Sequence, residues 1–138
     1  MIDTRLLNES FFLGKLSVCH ALFRDDSRFP WIILVPDLPH AIDFDDLPET
    51  PRHNVADDIA LAGRALKHVW PVEKINMASI GNKVLQCHIH VVGRTQSDLL
   101  WPEPVWGAGE RVPYPPDYAE EKIHELWRVL RLNPQGKL

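Results

Sequence analysis

The chain has 138 residues, 45% of them hydrophobic and 25% charged, a balance that suits one soluble domain, and 1–138 is taken as that domain. A formal net charge of −4 gives no basic footprint for a nucleic-acid backbone. No run of about 18 apolar residues occurs and the N-terminus lacks a basic-then-apolar signal pattern, so a cytoplasmic protein with no membrane partner is expected. Only Cys19 and Cys87 are present, without a Cys-x-x-Cys pair, which argues against a disulfide scaffold or a zinc knuckle.

In chain order, Leu16 to Phe23 and the run Trp31-Ile32-Ile33-Leu34-Val35 read as strands, with the polar Arg24-Asp25-Asp26-Ser27-Arg28 as the turn between them. Pro36 and Pro39 end the second strand. Thr50 as N-cap and Pro51 at the first helical position start a helix expected to reach Val69, where Pro71 follows. Within it Val55, Ile59, Ala62, Leu66 and Val69 recur at three- and four-residue steps and form an apolar stripe. Lys74 to Ser79 and Val84 to Val92 read as two further strands joined by a tight Gly81-Asn82 turn. Residues 101–116, rich in proline, tryptophan and glycine, are expected to form an ordered loop. A last helix from Asp117 to Leu132 places Ile123, Leu126, Trp127 and Leu130 on one side. Paired strands with two helices suggest an α+β meander.

Gln86-Cys87-His88-Ile89-His90-Val91-Val92-Gly93-Arg94 sets polar side chains at alternate positions of the last strand. Alternation points Gln86, His88 and His90 to one face and leaves Cys87, Ile89 and Val91 for the core. Imidazole serves as a nucleophile, a proton carrier or a metal ligand near neutral pH. The residues alone allow packed strand histidines, a zinc pair awaiting a third ligand, or the centre of nucleophilic catalysis. His20, His40, His53, His68 and His124 are scattered without ligand spacing, so no metal site is assigned.

The flanks carry a resemblance. Asn76-Met77-Ala78-Ser79-Ile80-Gly81-Asn82 leading into Gln86–Arg94, the segment Arg28–Pro36, and Trp101-Pro102-Glu103-Pro104-Val105-Trp106-Gly107 resemble, in that order, the histidine triad (HIT) family of nucleotide hydrolases and transferases. Within it the chain is similar to the bacterial diadenosine tetraphosphate hydrolase-like group. The resemblance implies a HIT-like α+β fold, an antiparallel meander sheet with one central helix and a C-terminal helix. It also implies a homodimer, with no resident cofactor and with magnesium only as the companion of a polyphosphate substrate.

By the same resemblance His88 attacks the α-phosphorus of a nucleotide to give a nucleotidyl-histidine that water resolves; His90, two residues on and on the same face, is placed to donate a hydrogen bond to the phosphoryl oxygens. The family pattern is His-x-His-x-His, and Gln86 stands at its first position, where an amide orients by hydrogen bonding and cannot titrate in the useful range. Asn76 falls near the bridging oxygen, Asp25 near the ribose hydroxyls, and Gly81-Asn82-Lys83 where backbone N–H groups meet phosphate. Each also has a plain reading: a strand asparagine satisfying backbone, a solvated turn aspartate, a hairpin turn. Leu22, Phe23 and Ile33 either flank the base or belong to the core, and Trp101 and Trp106 either cover a base or pack across a dimer, with packing favoured. The implied substrate is a dinucleoside polyphosphate of the diadenosine tetraphosphate kind. The alternatives are an adenosine phosphoramidase or nucleotidylyltransferase of the same family, and a nucleotide-binding module without turnover.

Overall fold

The apolar run at Trp31–Pro36 is buried at every position because it is the middle of a five-stranded sheet covered on both faces. The computed structural model describes residues 1–132, so the last six positions of the 1–138 span lie outside the described residues. A short helix α1 (Thr4–Leu7) precedes β1 (Ser10–Lys15), β2 (Cys19–Arg24) and β3 (Trp31–Pro36). A 3-10 turn at Phe44–Asp46 leads to α2 (Glu49–Val69), then β4 (Lys74–Ala78), β5 (Ile89–Arg94) and α3 (Pro116–Leu130). The order across the sheet is β1-β2-β3-β5-β4, antiparallel throughout. The α+β class and the antiparallel sheet are as expected; the simple meander is not, because β5 inserts between β3 and β4.

Period-2 alternation divides the sheet into two faces. Ala21, Phe23, Ile32, Leu34, Ile89 and Val91 pack with Val55, Ala62 and Leu66 of α2 and with Leu126 and Leu130 of α3. Leu22, Trp31, Ile33, Val35 and Val92 face the other way and are covered by Leu6, Phe29, Val84 and Val105. Helices therefore cover one face, while the N-terminal segment and three loops cover the other.

Several local expectations differ from the structure. The expected strand Leu16–Phe23 is a turn at Leu16–Val18 followed by β2, and β1 precedes it where no strand was expected. Asp58, buried in the middle of α2, is the cause: its carboxylate accepts from Ser17 N (3.0 Å), Ser17 Oγ (2.6 Å), Val18 N (3.0 Å) and Cys19 N (2.9 Å), gathering the chain into that turn. Helix α2 begins at Glu49, and its first backbone bond runs from Arg52 N to Pro48 O at 2.9 Å. Thr50 and Pro51 thus lie inside the first turn, where a missing N–H costs no helical hydrogen bond. At the other end of the chain α3 stops at Leu130 because Arg131 turns left-handed (φ 57°) and Leu132 N bonds back to Trp127 O at 2.8 Å.

The expected Gly81-Asn82 hairpin is a longer excursion. Strand β4 ends at Ala78 and β5 starts at Ile89, so residues 79–88 leave the sheet. Val84 is drawn into the loop-covered core, and Cys87 N bonds to Ala41 O at 3.0 Å instead of pairing with β4.

Candidate active site

His88 closes the excursion and His90 is the second residue of β5, which puts both imidazoles against the loop-covered face. The rings are 5.0 Å apart and nearly perpendicular, at 74°. His88 is buried, with Nδ1 2.7 Å from the main-chain carbonyl oxygen of Gln86. A carbonyl oxygen only accepts, so Nδ1 carries the proton and Nε2 keeps the free lone pair. His90 receives a hydrogen bond at Nδ1 from Trp31 Nε1 (3.1 Å), reaching across from β3. Burial first, and then the neighbouring His88 and Arg24, push the His90 pKa down to about 3, so its ring is neutral at ordinary pH.

Around the pair lies a cavity of about 600 Å³. Gly81, Asn82, Lys83 and Val84 of the excursion form one wall, and Arg5, Leu6, Asn8 and Glu9 of the N-terminal segment form another. Arg24 at the end of β2 and Trp106 of the 101–116 loop complete it. The guanidinium of Arg24 sits 4.8 Å above the Trp31 ring and pairs with Glu9 at 3.2 Å. Trp106 meets His90 edge-on at 5.8 Å. Of the cations lining it, Arg5 is paired with Asp3 at 2.8 Å and Arg24 with Glu9, which leaves the Lys83 ammonium as the charge without a carboxylate partner among the described residues.

The sequence-nominated residues divide. His88, His90, Gly81, Asn82 and Lys83 meet around this cavity. Gln86, Asp25 and Asn76 do not line it. The Gln86 carboxamide turns to the N-terminal segment, accepting from Asp3 N (2.7 Å) and donating to Met1 O (3.0 Å), and borders a different cavity with His20, Asp37 and His40. Alternation fails there because Gln86 precedes the strand. The Asp25 carboxylate accepts from Tyr114 N (2.8 Å) and from Arg111 Nη1 (3.3 Å), so it anchors the 101–116 loop. Asn76 Oδ1 accepts from Arg94 Nη1 (2.9 Å); Arg94 is fully buried, pairs with Asp98 at 2.7 Å, and secures the start of the segment carrying Trp106. Leu22, Phe23 and Ile33 are core residues, and Trp101 packs under Arg94 at 5.6 Å.

Trp31, Arg24, Arg5 and Glu9 were not anticipated as parts of the site, and Trp106, for which packing was favoured, lines the cavity against His90. Arg24 had a signal, as the one charged residue continuing the Leu22 side of an apolar strand. The others depend on which strands are neighbours and on where residues 1–9 pack.

The family is decided by comparison with known proteins: the HIT domain model matches residues 5–97, which spans the strands, α2 and both histidines. The chain belongs to the HIT domain family. HIT proteins are in general hydrolases or transferases of nucleotides. Among solved structures, the chain is similar to a histidine triad protein of Bradyrhizobium japonicum, with 32% identity and a TM-score of 0.91 over 94% of this chain and 97% of that one. A histidine triad protein of Marinobacter aquaeolei is 29% identical, with a TM-score of 0.91 over 95% of this chain and 96% of that one. A zinc-bound HIT protein of Mycobacterium smegmatis shares the fold at 17% identity, with a TM-score of 0.65 over 93% and 90% of the two chains. No curated protein matches the sequence. Among the described residues of this HIT chain, no group of three His, Cys, Asp or Glu side chains is placed to hold one metal ion. Nor is any helix among them long and apolar enough to cross a membrane.

Proposed function

We propose that this HIT protein hydrolyses a dinucleoside polyphosphate of the diadenosine tetraphosphate kind at its α-phosphate, through a covalent nucleotidyl-His88. The observation that carries the reading is the 2.7 Å contact from His88 Nδ1 to the Gln86 carbonyl, which leaves Nε2 as the ring's one lone pair at the cavity. Nε2 attacks phosphorus, the Pα–O bond to the remaining phosphates breaks, and those phosphates depart with the bonding electrons. The carbonyl stabilises the positive charge that develops on the ring. Water then attacks phosphorus, the P–N bond breaks, the ring recovers its lone pair, and the water proton passes to solvent. Lys83 supplies opposing charge for the phosphates, with Arg5 and Arg24 as hydrogen-bond donors already paired to Asp3 and Glu9, and any magnesium arrives with the substrate.

The leaving group separates this reading from its family alternatives. A polyphosphate departs as a stable anion and needs no proton, whereas the amine of a phosphoramidate leaves well only when protonated. Gln86 cannot titrate and is engaged elsewhere, and His90 is held neutral, so the pair offers no general acid. That favours phosphoanhydride over P–N cleavage. A binding module without turnover remains the reading to separate by experiment.

Intact-protein mass spectrometry under non-acidic quench, wild type beside His88→Ala, with diadenosine tetraphosphate and adenosine phosphoramidate in turn, tests the proposal. Adenylate release with an AMP adduct on the wild type only is expected, faster with the polyphosphate. Nucleotide bound by wild type with neither product nor adduct would establish the binding module instead.

A further inference from the structure

We propose that Trp31 is the positioning residue that makes His90 a hydrogen-bond donor toward the bound phosphate, the counterpart of the carbonyl that makes His88 the nucleophile. An indole N–H donates and never accepts. Trp31 Nε1 lies 3.1 Å from His90 Nδ1, so Nδ1 must present its lone pair to the indole, and the single proton of the neutral ring resides on Nε2. His88 is held the opposite way, with its proton on Nδ1. Two imidazoles 5.0 Å apart therefore carry opposite tautomers, one with a lone pair on Nε2 and the other with a proton there. An attacking nitrogen and a donor for the phosphoryl oxygens are thereby distinguished before any ligand arrives, as electrostatic preorganisation requires.

The fold supports the lock. Ile33 pairs with His90 and Trp31 with Val92, so Trp31 and His90 are diagonal neighbours on one face of adjacent strands. Trp31 is 4% exposed and does not line the cavity, so it acts through His90 and not on a ligand. Arg24 lies over the indole face at 4.8 Å, where its charge draws electron density from the ring and strengthens the N–H as a donor. The charged or titratable groups bordering the same cavity are Arg24 from β2, His88 from the excursion, Arg5 and Glu9 from the N-terminal segment, and Lys83. The cations among them oppose protonation of His90, which would break the indole bond.

Imidazole nitrogen-15 NMR of the free protein reads the tautomers directly. Wild type is expected to show a pyridine-type Nδ1 on His90, a pyridine-type Nε2 on His88, and a coupling across the hydrogen bond between Trp31 Nε1 and His90 Nδ1. Trp31→Phe keeps an aromatic ring and removes the donor: His90 should become a mixture of tautomers while His88 is unchanged. Turnover of diadenosine tetraphosphate should then fall about tenfold in kcat with KM within about twofold. A proton on Nδ1 of His90 in wild type, no coupling to Trp31, or an unchanged His90 in Trp31→Phe would overturn the proposal. The wild-type coupling decides the matter even if the variant fails to fold. The donor role toward phosphate rests on the nucleotidyl-transfer reading, but the tautomers do not. Opposite tautomers in a wild type that turns over neither nucleotide would therefore overturn the catalytic role and leave the lock standing.

Discussion

Replacing Gln86 by alanine separates a main-chain role from a side-chain one at the first position of the family motif. The carboxamide makes two hydrogen bonds, to Asp3 N at 2.7 Å, part-buried, and to Met1 O at 3.0 Å, exposed. Each contributes about 0.5–1.5 kcal/mol, and their exposure favours the low end, so the variant should lose roughly 1–2 kcal/mol of stability. The carbonyl that orients His88 survives any substitution. Diadenosine tetraphosphate turnover by Gln86→Ala should therefore stay within about tenfold of wild type, whereas removing a group that directly stabilises the transition state costs about a hundred- to a thousandfold. Its pH profile should also keep the wild-type shape, since an amide contributes no titration. Steady-state kinetics across pH, with a urea melt confirming a folded variant, make the comparison. A folded Gln86→Ala as slow as His88→Ala would show that the carboxamide enters the chemistry and would refute the backbone account.

Asp58→Ala removes the acceptor for three backbone N–H groups and the Ser17 hydroxyl, with Cys19 N fully buried among them. At about 1–3 kcal/mol for each unsatisfied buried donor, less where water reaches Ser17 and Val18, the loss should be about 3 kcal/mol, read as a lower urea midpoint at constant slope; a loss under about 1 kcal/mol would contradict the turn's assignment to Asp58. Burial alone would raise the Asp26 carboxyl, but hydrogen bonds from Arg28 and Val112 outweigh it and hold the pKa below the ordinary carboxylate range. The stabilisation is present above the unfolded value near about pH 4 and is lost as pH falls through the folded value. Asp26→Asn should accordingly be less stable at neutral pH and show a shallower acid loss below about pH 4 in pH-dependent urea melts; an unchanged acid limb would remove Asp26 from the account.

The parts of the fold that could be read in advance are those whose cause is local. Helix α2 follows from its three-four stripe, and the β2–β3 hairpin from a polar turn between apolar runs. Strand β1 was invisible because its register shifts between Phe12 and Gly14, which spoils the alternation, and because a carboxylate from α2 dictates where it ends. The site divides along the same line. His88, His90 and the Gly81–Lys83 wall are close in sequence and stood out together. Trp31 and Arg24 join them only because β5 inserts beside β3, and Asp25 and Asn76 leave the list because distant loop and strand partners, Tyr114 and Arg94, claim their side chains.

The two sides of the sheet are made of different material. One is sealed by helices α2 and α3; the other is closed by irregular segments fastened through Arg94–Asp98, Arg28–Asp26 and Arg111–Asp25. Stability and selectivity are thereby assigned to opposite surfaces of one sheet. Lengthening, trimming or recharging the irregular segments changes what the cavity admits while the helical side goes on folding as before. A scaffold divided in this way can diversify its ligands without renegotiating its core.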